Sequence, residues 1–291
     1  MHCLLIGYGS IGKRHHANVL ALGHTCDVFD IHNESQLAAH LANVPYDYAL
    51  ICTPNDSHLD YCLRVANAGV PFMCEKPLFT PDVYGLDHSM RVASVLSDIC
   101  EERNLINMVG CNLRFTDAIK KLPSDTKYVN VYCGYNLKRW RPQADHLESY
   151  SANKSMGGGV LFDAIHEFDY LYSVFGEIGY MKTHRMRLTS MTNDTEDVVH
   201  GVIHFKNGTF VTIHVNYLSN IYTRWYEYVP TNEDTLIHVK IDVGDQMYID
   251  ELKYFVECVA SKTQTMNTID NAMYLIEKMY HSISIPHAHT T

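Results

Sequence analysis

His2-Cys3-Leu4-Leu5-Ile6-Gly7-Tyr8-Gly9-Ser10-Ile11-Gly12 is the stretch that decides the fold. Its first part is a short apolar run of the kind that forms a buried parallel strand. It ends in a Gly-x-Gly-x-x-Gly turn, and a helical pattern follows to Leu22, with Gly23 as its stop. Cys26-Asp27-Val28-Phe29-Asp30 then reads as a second strand closing on an acid. Strand, glycines, helix, strand and acid together make the dinucleotide-binding fingerprint in its required context. Gly7 permits the tight turn, Gly9 lets backbone approach a pyrophosphate, and Gly12 allows close helix–strand packing. Ser10 and Ile11 open the helix, whose N-terminus offers N–H groups and positive dipole to an anion. Asp30 lies 18 residues beyond Gly12, where a carboxylate accepts both ribose hydroxyls.

Outward from this motif the first half keeps alternating strand and helix. Only 17 residues separate Asp30 from Tyr48, too few for a strand and a crossover helix, so the third strand of the fold is expected to be missing or vestigial. A strand over 48–52 ends in Thr53-Pro54-Asn55-Asp56-Ser57-His58, where Asn55 or Asp56 is expected to cap a helix running to Ala68. A strand over 70–74 leads into Glu75-Lys76-Pro77, at the strand edge where ligands sit in open α/β sheets. A surface ion pair before a turn is the competing reading of that triplet. Thr80 with Pro81 is expected to open one long helix to about Arg103. A strand over 105–111 precedes Asn112-Leu113-Arg114-Phe115, again on the ligand edge.

Composition narrows the class. A chain of 291 residues is sized for two domains. Hydrophobic residues at 46% and charged ones at 19% exclude general disorder. No apolar run reaches the roughly 20 residues of a membrane span, and the N-terminus shows no signal-peptide pattern, so a cytoplasmic protein is expected. Twenty-three basic against 33 acidic residues give a net charge of −10, which argues against nucleic acid and anionic membranes as partners. Nine cysteines, none in a C-x-x-C pair and several inside apolar runs, read as buried free thiols. His200, His204 and His214 are expected to share one sheet face, without a carboxylate or thiol at ligand spacing, so no metal is expected.

From Lys127 the pattern changes to alternating strands, at 127–136, 180–188, 198–205, 209–218, 224–229 and 236–241. Asn207-Gly208 is a two-residue hairpin signal. The expectation is a mostly antiparallel, open-faced sheet whose tyrosine-rich face serves oligomer contact, giving a homodimer or homotetramer. One helix interrupts the strands. Gly157-Gly158-Gly159 opens it, and Asp163 and His166, three apart, fall on one face. They either pair on a solvated face or form a site. Three glycines beside a helix start point to close approach of a ligand or of backbone. Helices over 248–261 and 269–282 close the chain, with a disordered tail over 286–291. The fold class is α/β plus α+β, with a shortened dinucleotide-binding domain over 1–114 and a substrate-binding, oligomer-forming α+β domain over 115–285.

Four motifs in order carry a resemblance: Gly7–Gly12, Thr53-Pro54-Asn55, Glu75-Lys76-Pro77, and Gly157-Gly158-Gly159 with Asp163 and His166. Together they resemble the glucose–fructose oxidoreductase / inositol dehydrogenase (Gfo/Idh/MocA) family. Trp140-Arg141-Pro142 and Tyr150-Ser151-Ala152 are similar to a subgroup found among surface-sugar biosynthetic oxidoreductases. The resemblance implies a Rossmann domain, a nicotinamide cofactor, and oxidation or reduction of a sugar or cyclitol C–OH. It makes Lys76 catalytic, with its bond to Pro77 often cis, and carries the helix acid and histidine onto Asp163 and His166. Two departures bear on the substrate. Many members place acid and histidine four apart, and this chain is shorter than typical members.

The expected cofactor is NAD rather than NADP, because Asp30 would repel a 2′-phosphate and Ile31-His32-Asn33 supply no cation. Its expected contacts are Gly7, Gly9, Ser10, Ile11, Gly12, Asp30, Thr53, Pro54, Asn55, His58, Glu75 and Lys76. For the chemistry, His166 is the proton acceptor, Lys76 the stabiliser of alkoxide charge beside the nicotinamide, and Asp163 an orienting or hydroxyl-binding group. Asn112, Arg114, Arg141 and Tyr150 are candidate substrate contacts, with a structural role equally open. The small-molecule substrate is a sugar, cyclitol or nucleotide-sugar. Competing readings are a reductase of a non-sugar C=O, C=N or conjugated double bond, a hydrolase using NAD transiently, and a non-catalytic NAD-sensing regulator.

Overall fold

A computed structural model describes residues 1–30, 32–140 and 145–284. Ile31, Arg141 and the 286–291 tail lie outside the described residues. The chain divides into two compact units, 1–115 with 244–274, and 116–243 with 275–291. The boundaries expected from the sequence are 1–114 and 115–285. The difference is the return segment 244–274.

The first unit is built from β1 (His2–Ile6), α1 (Ser10–Ala21), β2 (Thr25–Phe29), α2 (Leu37–Asn43), β3 (Tyr48–Ile51), α3 (His58–Asn67), β4 (Phe72–Glu75), α4 (Pro81–Tyr84), α5 (Leu86–Glu102) and β5 (Asn107–Gly110). Its five strands pair in parallel in the order β2-β1-β3-β4-β5. The sheet ends at β2 among the described residues, so the position of a further strand beyond it is empty, as the short 31–47 link implies. The order reverses between β1 and β3. The carboxyl ends of these two strands therefore flank the crevice where open α/β sheets take ligands.

Two helix expectations differ from the structure. The helix after β3 begins at His58, preceded by a 3₁₀ turn at Asn55–Ser57, so Ser57 rather than Asn55 or Asp56 stands at its N-cap. The long helix after Thr80 is two helices, broken at Gly85, whose φ of +83° no helix contains.

The second unit contains α6 (Asp117–Lys120), β6 (Tyr128–Asn136), α7 (Leu137–Trp140), α8 (Val160–Asp163), α9 (Ile165–Phe175), β7 (Ile178–Met186), β8 (Val198–Phe205), β9 (Phe210–Asn216), β10 (Leu218–Val229) and β11 (Ile237–Lys240). The chain then supplies α10 (Asp245–Ser261) to the first unit, and ends in α11 (Ile269–His281) and β12 (Ile283–Ser284). The sheet order is β11-β10-β6-β9-β8-β7-β12. Four of its six pairings are antiparallel; β6–β9 and β12–β7 are parallel. Gly208, at φ +98°, makes the β8–β9 hairpin turn.

One face of this sheet is buried through Val129, Val131, Cys133, Val199, Ile203, Ile213 and Val215. The other carries an aromatic and histidine row in register. Trp225 stacks on Tyr132 at 5.4 Å, Tyr132 on His214 at 5.6 Å, and His200 stands opposite His214 at 5.9 Å. His204 joins the same face against Phe210 at 4.5 Å.

Segment 244–274 belongs to the first unit because α10 is amphipathic. Leu252, Phe255 and Cys258 enter the core formed by Leu5, Val19, Tyr48, Leu50, Met73 and Met108. Beyond α10 the chain lies along the edge strand β5. Asn267 accepts from Val109 N–H at 2.8 Å and its side chain returns a bond to Val109 O at 2.7 Å. That covers an edge that would otherwise stay unpaired. All nine cysteines are free thiols, and eight of them are buried.

Candidate functional site

In the first unit the predicted residues gather on the carboxyl edge of the parallel sheet. Gly7 has φ +94°, and a Cβ there would stand 2.6 Å from Cys52 O. A Cβ on Gly12 would stand 2.0 Å from Gly7 O, so α1 and the turn touch backbone to backbone. Gly9 differs from both: a Cβ there would meet nothing within 4 Å. It caps α1 with its carbonyl and faces open space, with Ser10 and Ile11 beside it. Asp30 follows β2. Its N–H donates to Asn33 Oδ1 at 2.7 Å, and its carbonyl accepts from Asn33 N–H at 3.0 Å, which fixes the backbone that carries the carboxylate.

After β3, Thr53 and Pro54 lead into the Asn55–Ser57 turn, and the Thr53 hydroxyl is buried without a partner among the described residues. After β4, Glu75 is buried and Lys76 half-buried, and the Lys76–Pro77 bond is cis. Glu75 accepts from, or shares a proton with, His15 Nε2 of α1 at 2.6 Å. Burial pushes the Glu75 carboxyl up, but the His15 bond and charge, with Lys76 and His58 behind them, hold it below its ordinary value. Glu251 of α10 completes a cluster in which ligand atoms of His15, Glu75 and Glu251 lie within 4.8 Å of one another. Sequence reading placed no metal-competent group here. Neighbouring ligands on one zinc ion stand roughly 3 Å or more apart, so the 2.6 Å contact is a hydrogen bond.

His58, expected as a cofactor contact, is buried with both ring nitrogens on backbone carbonyls. Asn112 and Arg114, expected on substrate, are buried too. Arg114 donates to Met266 O at 2.9 Å and Asn267 Oδ1 at 3.0 Å, anchoring the return segment to the sheet edge. Its guanidinium does the work of a clasp, which accounts for a cation at a strand end without a ligand.

In the second unit Asp163 is the hub. It accepts from Tyr150 at 2.7 Å, Ser151 at 2.7 Å, Tyr217 at 2.8 Å and Tyr135 at 3.3 Å. Burial and the Asp163 charge push the Tyr135 and Tyr217 hydroxyls well up, so both remain donors. Tyr135 and Tyr217 were not foreseen, although the sequence carries a signal for them. Alternation along β6 puts 129, 131, 133 and 135 on the buried face, and 211, 213, 215 and 217 continue it from β9. A tyrosine at such a position needs a buried partner for its hydroxyl. His166 is half-buried on α9, separated from Asp163 by a helix break at Ala164, so the two do not share one continuous helix face.

The glycine run serves protein contacts. A Cβ on Gly158 would stand 2.1 Å from Tyr150 O, and one on Gly159, at φ +112°, would stand 2.5 Å from the Glu196 carboxylate. Glu196 in turn accepts from Leu161 N–H at 2.9 Å and so holds the start of α8. Below this, Glu167 and Arg224 form a buried ion pair at 2.6 Å.

Two family models match the chain: an oxidoreductase family with an NAD-binding Rossmann fold over residues 1–111, and the GFO/IDH/MocA C-terminal domain over 131–232. The chain belongs to the GFO/IDH/MocA oxidoreductase family. Inositol 2-dehydrogenase of Rhizobium meliloti (strain 1021) is 29% identical over 194 residues, covering 60% of this chain and 54% of that protein. The matched stretches span between 32% and 54% of such curated relatives. Among solved GFO/IDH/MocA-like folds, UDP-N-acetylglucosamine 3-dehydrogenase of Acidithiobacillus ferrooxidans superposes with a TM-score of 0.75 at 17% identity, covering 97% of each chain. Myo-inositol 2-dehydrogenase of Lactobacillus plantarum gives 0.75 at 16% identity, covering 97% of this chain and 96% of that one. Among the described residues no helix is long and apolar enough to cross a membrane.

Proposed function

We propose that this GFO/IDH/MocA member is an NAD-dependent oxidoreductase that transfers a hydride between the nicotinamide and a C–OH/C=O of a sugar, cyclitol or nucleotide-sugar. The observation that carries the reading is the layout of one sheet edge. Gly7–Gly12, the Asp30 carboxylate, the orphaned Thr53 hydroxyl and Lys76 all follow the carboxyl ends of β1, β2, β3 and β4. The residues fit a dinucleotide: open space at Gly9 for a pyrophosphate, a carboxylate for ribose hydroxyls, and a buried hydroxyl still to be paired.

When bound, the nicotinamide supplies the two-electron acceptor or donor. The chain's own residues do the rest. Asp30 selects NAD by accepting from the 2′-hydroxyl and repelling a 2′-phosphate. Lys76 places an ammonium against the substrate oxygen and stabilises its negative charge. Glu75, held ionised by His15, keeps a compensating charge next to that lysine. His166 takes the hydroxyl proton on its imidazole. Asp163, engaged by four hydroxyls, organises Tyr150 and its neighbours in the second unit and leaves the proton to His166.

The test is a panel of cyclitols, free sugars and nucleotide-sugars with NAD and with NADP, followed by nicotinamide absorbance. Lys76→Ala and His166→Ala should each lose about 10²–10⁴-fold in kcat with NAD affinity kept. Normal turnover in either variant refutes the assignment. We also infer self-association through the Trp225–Tyr132–His214 face, since a half-buried aromatic row suits an interface. Light scattering of a Trp225→Glu variant checks it, and an unchanged mass argues against it.

A further inference from the structure

His58 begins α3 with a side chain only 1% exposed. Its Nδ1 lies 2.7 Å from Pro77 O, and its Nε2 lies 2.8 Å from Thr53 O. Both neighbours are backbone carbonyls, and a carbonyl oxygen accepts but never donates. Each contact is therefore a hydrogen bond only if that ring nitrogen carries a proton. A neutral imidazole has one N–H; the imidazolium has two. In the neutral ring, one nitrogen lone pair would face an oxygen lone pair at under 3 Å, away from water, where such a mismatch is most costly.

The two carbonyls belong to different connections. Thr53 follows β3 and opens the Asn55–Ser57 turn; Pro77 follows Lys76 at the end of β4. We propose that His58 is a positioning residue that ties the Thr53 loop to the Lys76–Pro77 turn as an imidazolium, and that losing one proton releases one of the two. This rests on reading those two connections as the cofactor and catalytic edge.

The charges that act on His58 are Glu75 at the end of β4 and Asp56 in the 3₁₀ turn, both favouring the cation. Lys76 and His15 act on Glu75 itself. Burial pushes the His58 pKa down from its ordinary value, while the Pro77 and Thr53 carbonyls and the two carboxylates pull it up without fully restoring it. The sign follows. The double clamp is complete on the acid side and loses one bond as pH rises through the His58 titration. If bound NAD needs both connections in place, NAD affinity falls through the same range, and binding takes up a proton.

The experiment is ¹⁵N-histidine NMR on the whole chain from the lowest pH at which it stays folded up to pH 8, with His58 assigned through its proton contacts to Thr53 and Pro77. The expected result is two protonated nitrogens at the acid end and one at the alkaline end. NAD titrations over the same range should show about a tenfold weakening across that step, the worth of one charge-assisted bond. His58→Gln, with an amide donor at only one end, should show the weaker affinity at every pH and no step. A His58 carrying one proton throughout overturns the proposal, as does a step that survives in His58→Gln. If the native chain binds no NAD at any pH, the cofactor reading fails, while the nitrogen signals still decide the clamp.

Discussion

Gly9→Ala and Gly12→Ala are the same chemical change three residues apart, and the structure assigns them opposite consequences. At Gly12 the new methyl would stand 2.0 Å from Gly7 O, well inside van der Waals contact. The partner is backbone in a turn that Gly7 makes at φ +94°, where the Gly7 N–H donates to Phe29 O at 2.7 Å, so it has little room to yield. Overpacking of this sort costs about 1–3 kcal/mol, and a rigid backbone neighbour puts Gly12→Ala at the upper end. At Gly9 the methyl meets nothing, and φ −72°, ψ −160° suits any residue. Its folding cost is limited to about 1 kcal/mol for alanine at an N-cap. A ligand phosphate on that helix start would, however, meet the methyl and lose about one charge-assisted bond, ~1.5–3 kcal/mol, or roughly 10- to 150-fold in NAD affinity. Urea melts and NAD titrations of both variants make the comparison. Gly9→Ala should stay within about 1 kcal/mol of the parent and bind NAD poorly, whereas Gly12→Ala should melt clearly earlier. A Gly9→Ala protein that binds NAD normally would show that no pyrophosphate approaches there, and the cofactor site would have to be sought elsewhere.

Asp30→Ala should erode the preference for NAD over NADP in kcat/KM, and a parent enzyme that prefers NADP would contradict the role given to Asp30. Asp163→Asn keeps the shape but turns one acceptor into a donor facing hydroxyls, so the second unit should lose about 2–4 kcal/mol in urea melts; a change under 0.5 kcal/mol would mean the four bonds are not formed together. Glu167→Gln leaves Arg224 charged and buried without its counterion and should cost about 3–5 kcal/mol, read as a lowered melting midpoint. Burial pushes the pKa of His214 down, as it does for His58, so the unfolded chain binds protons more readily; stability is full above about pH 6.5 and falls as pH drops through the lowered folded values. Melting midpoints between pH 7.5 and 5.5 test this, and His214→Gln should flatten part of the slope.

How far the sequence could be read depended on the range of the determinant. Local chemistry was legible. The glycine fingerprint, the short link after Asp30, the Asn207-Gly208 hairpin and the strands of the second unit all follow from spacing within about twenty residues. Helix ends were less so. Thr80 and Pro81 signal a helix start and Leu86, Met90 and Arg91 beyond Gly85 are good helix formers, and a single glycine in such a pattern is compatible with continuing or breaking. Here the turn at φ +83° breaks it. The return of 244–274 to the first unit was out of reach. Helix α10 reads as an ordinary amphipathic helix, and amphipathicity says that a face is buried but not against which sheet.

The site shows the same limit in a sharper form, because a motif residue has two ways to matter. Arg114, Asn112 and His58 sit where ligand contacts are expected, yet Arg114 and His58 spend their hydrogen bonds on backbone carbonyls and on Asn267. The three glycines before α8 promised a ligand or a backbone neighbour, and the neighbours are Tyr150 O and Glu196. Burial separates the two cases. A charged or polar side chain that is buried and fully hydrogen-bonded is holding the protein together. One that is half-exposed at the same strand edge, like Lys76, or buried with a hydroxyl still to be paired, like Thr53, has chemistry left to offer. Sequence lists both kinds together, since a residue type and its spacing do not say where its hydrogen bonds go. On that criterion Arg114 is a structural clasp, and Arg114→Ala should lower the melting midpoint by releasing 264–267 from β5 while sparing kcat in whatever fraction stays folded. An Arg114→Ala enzyme with a parental melt and a hundredfold loss in kcat would return that arginine to the substrate and undo the distinction.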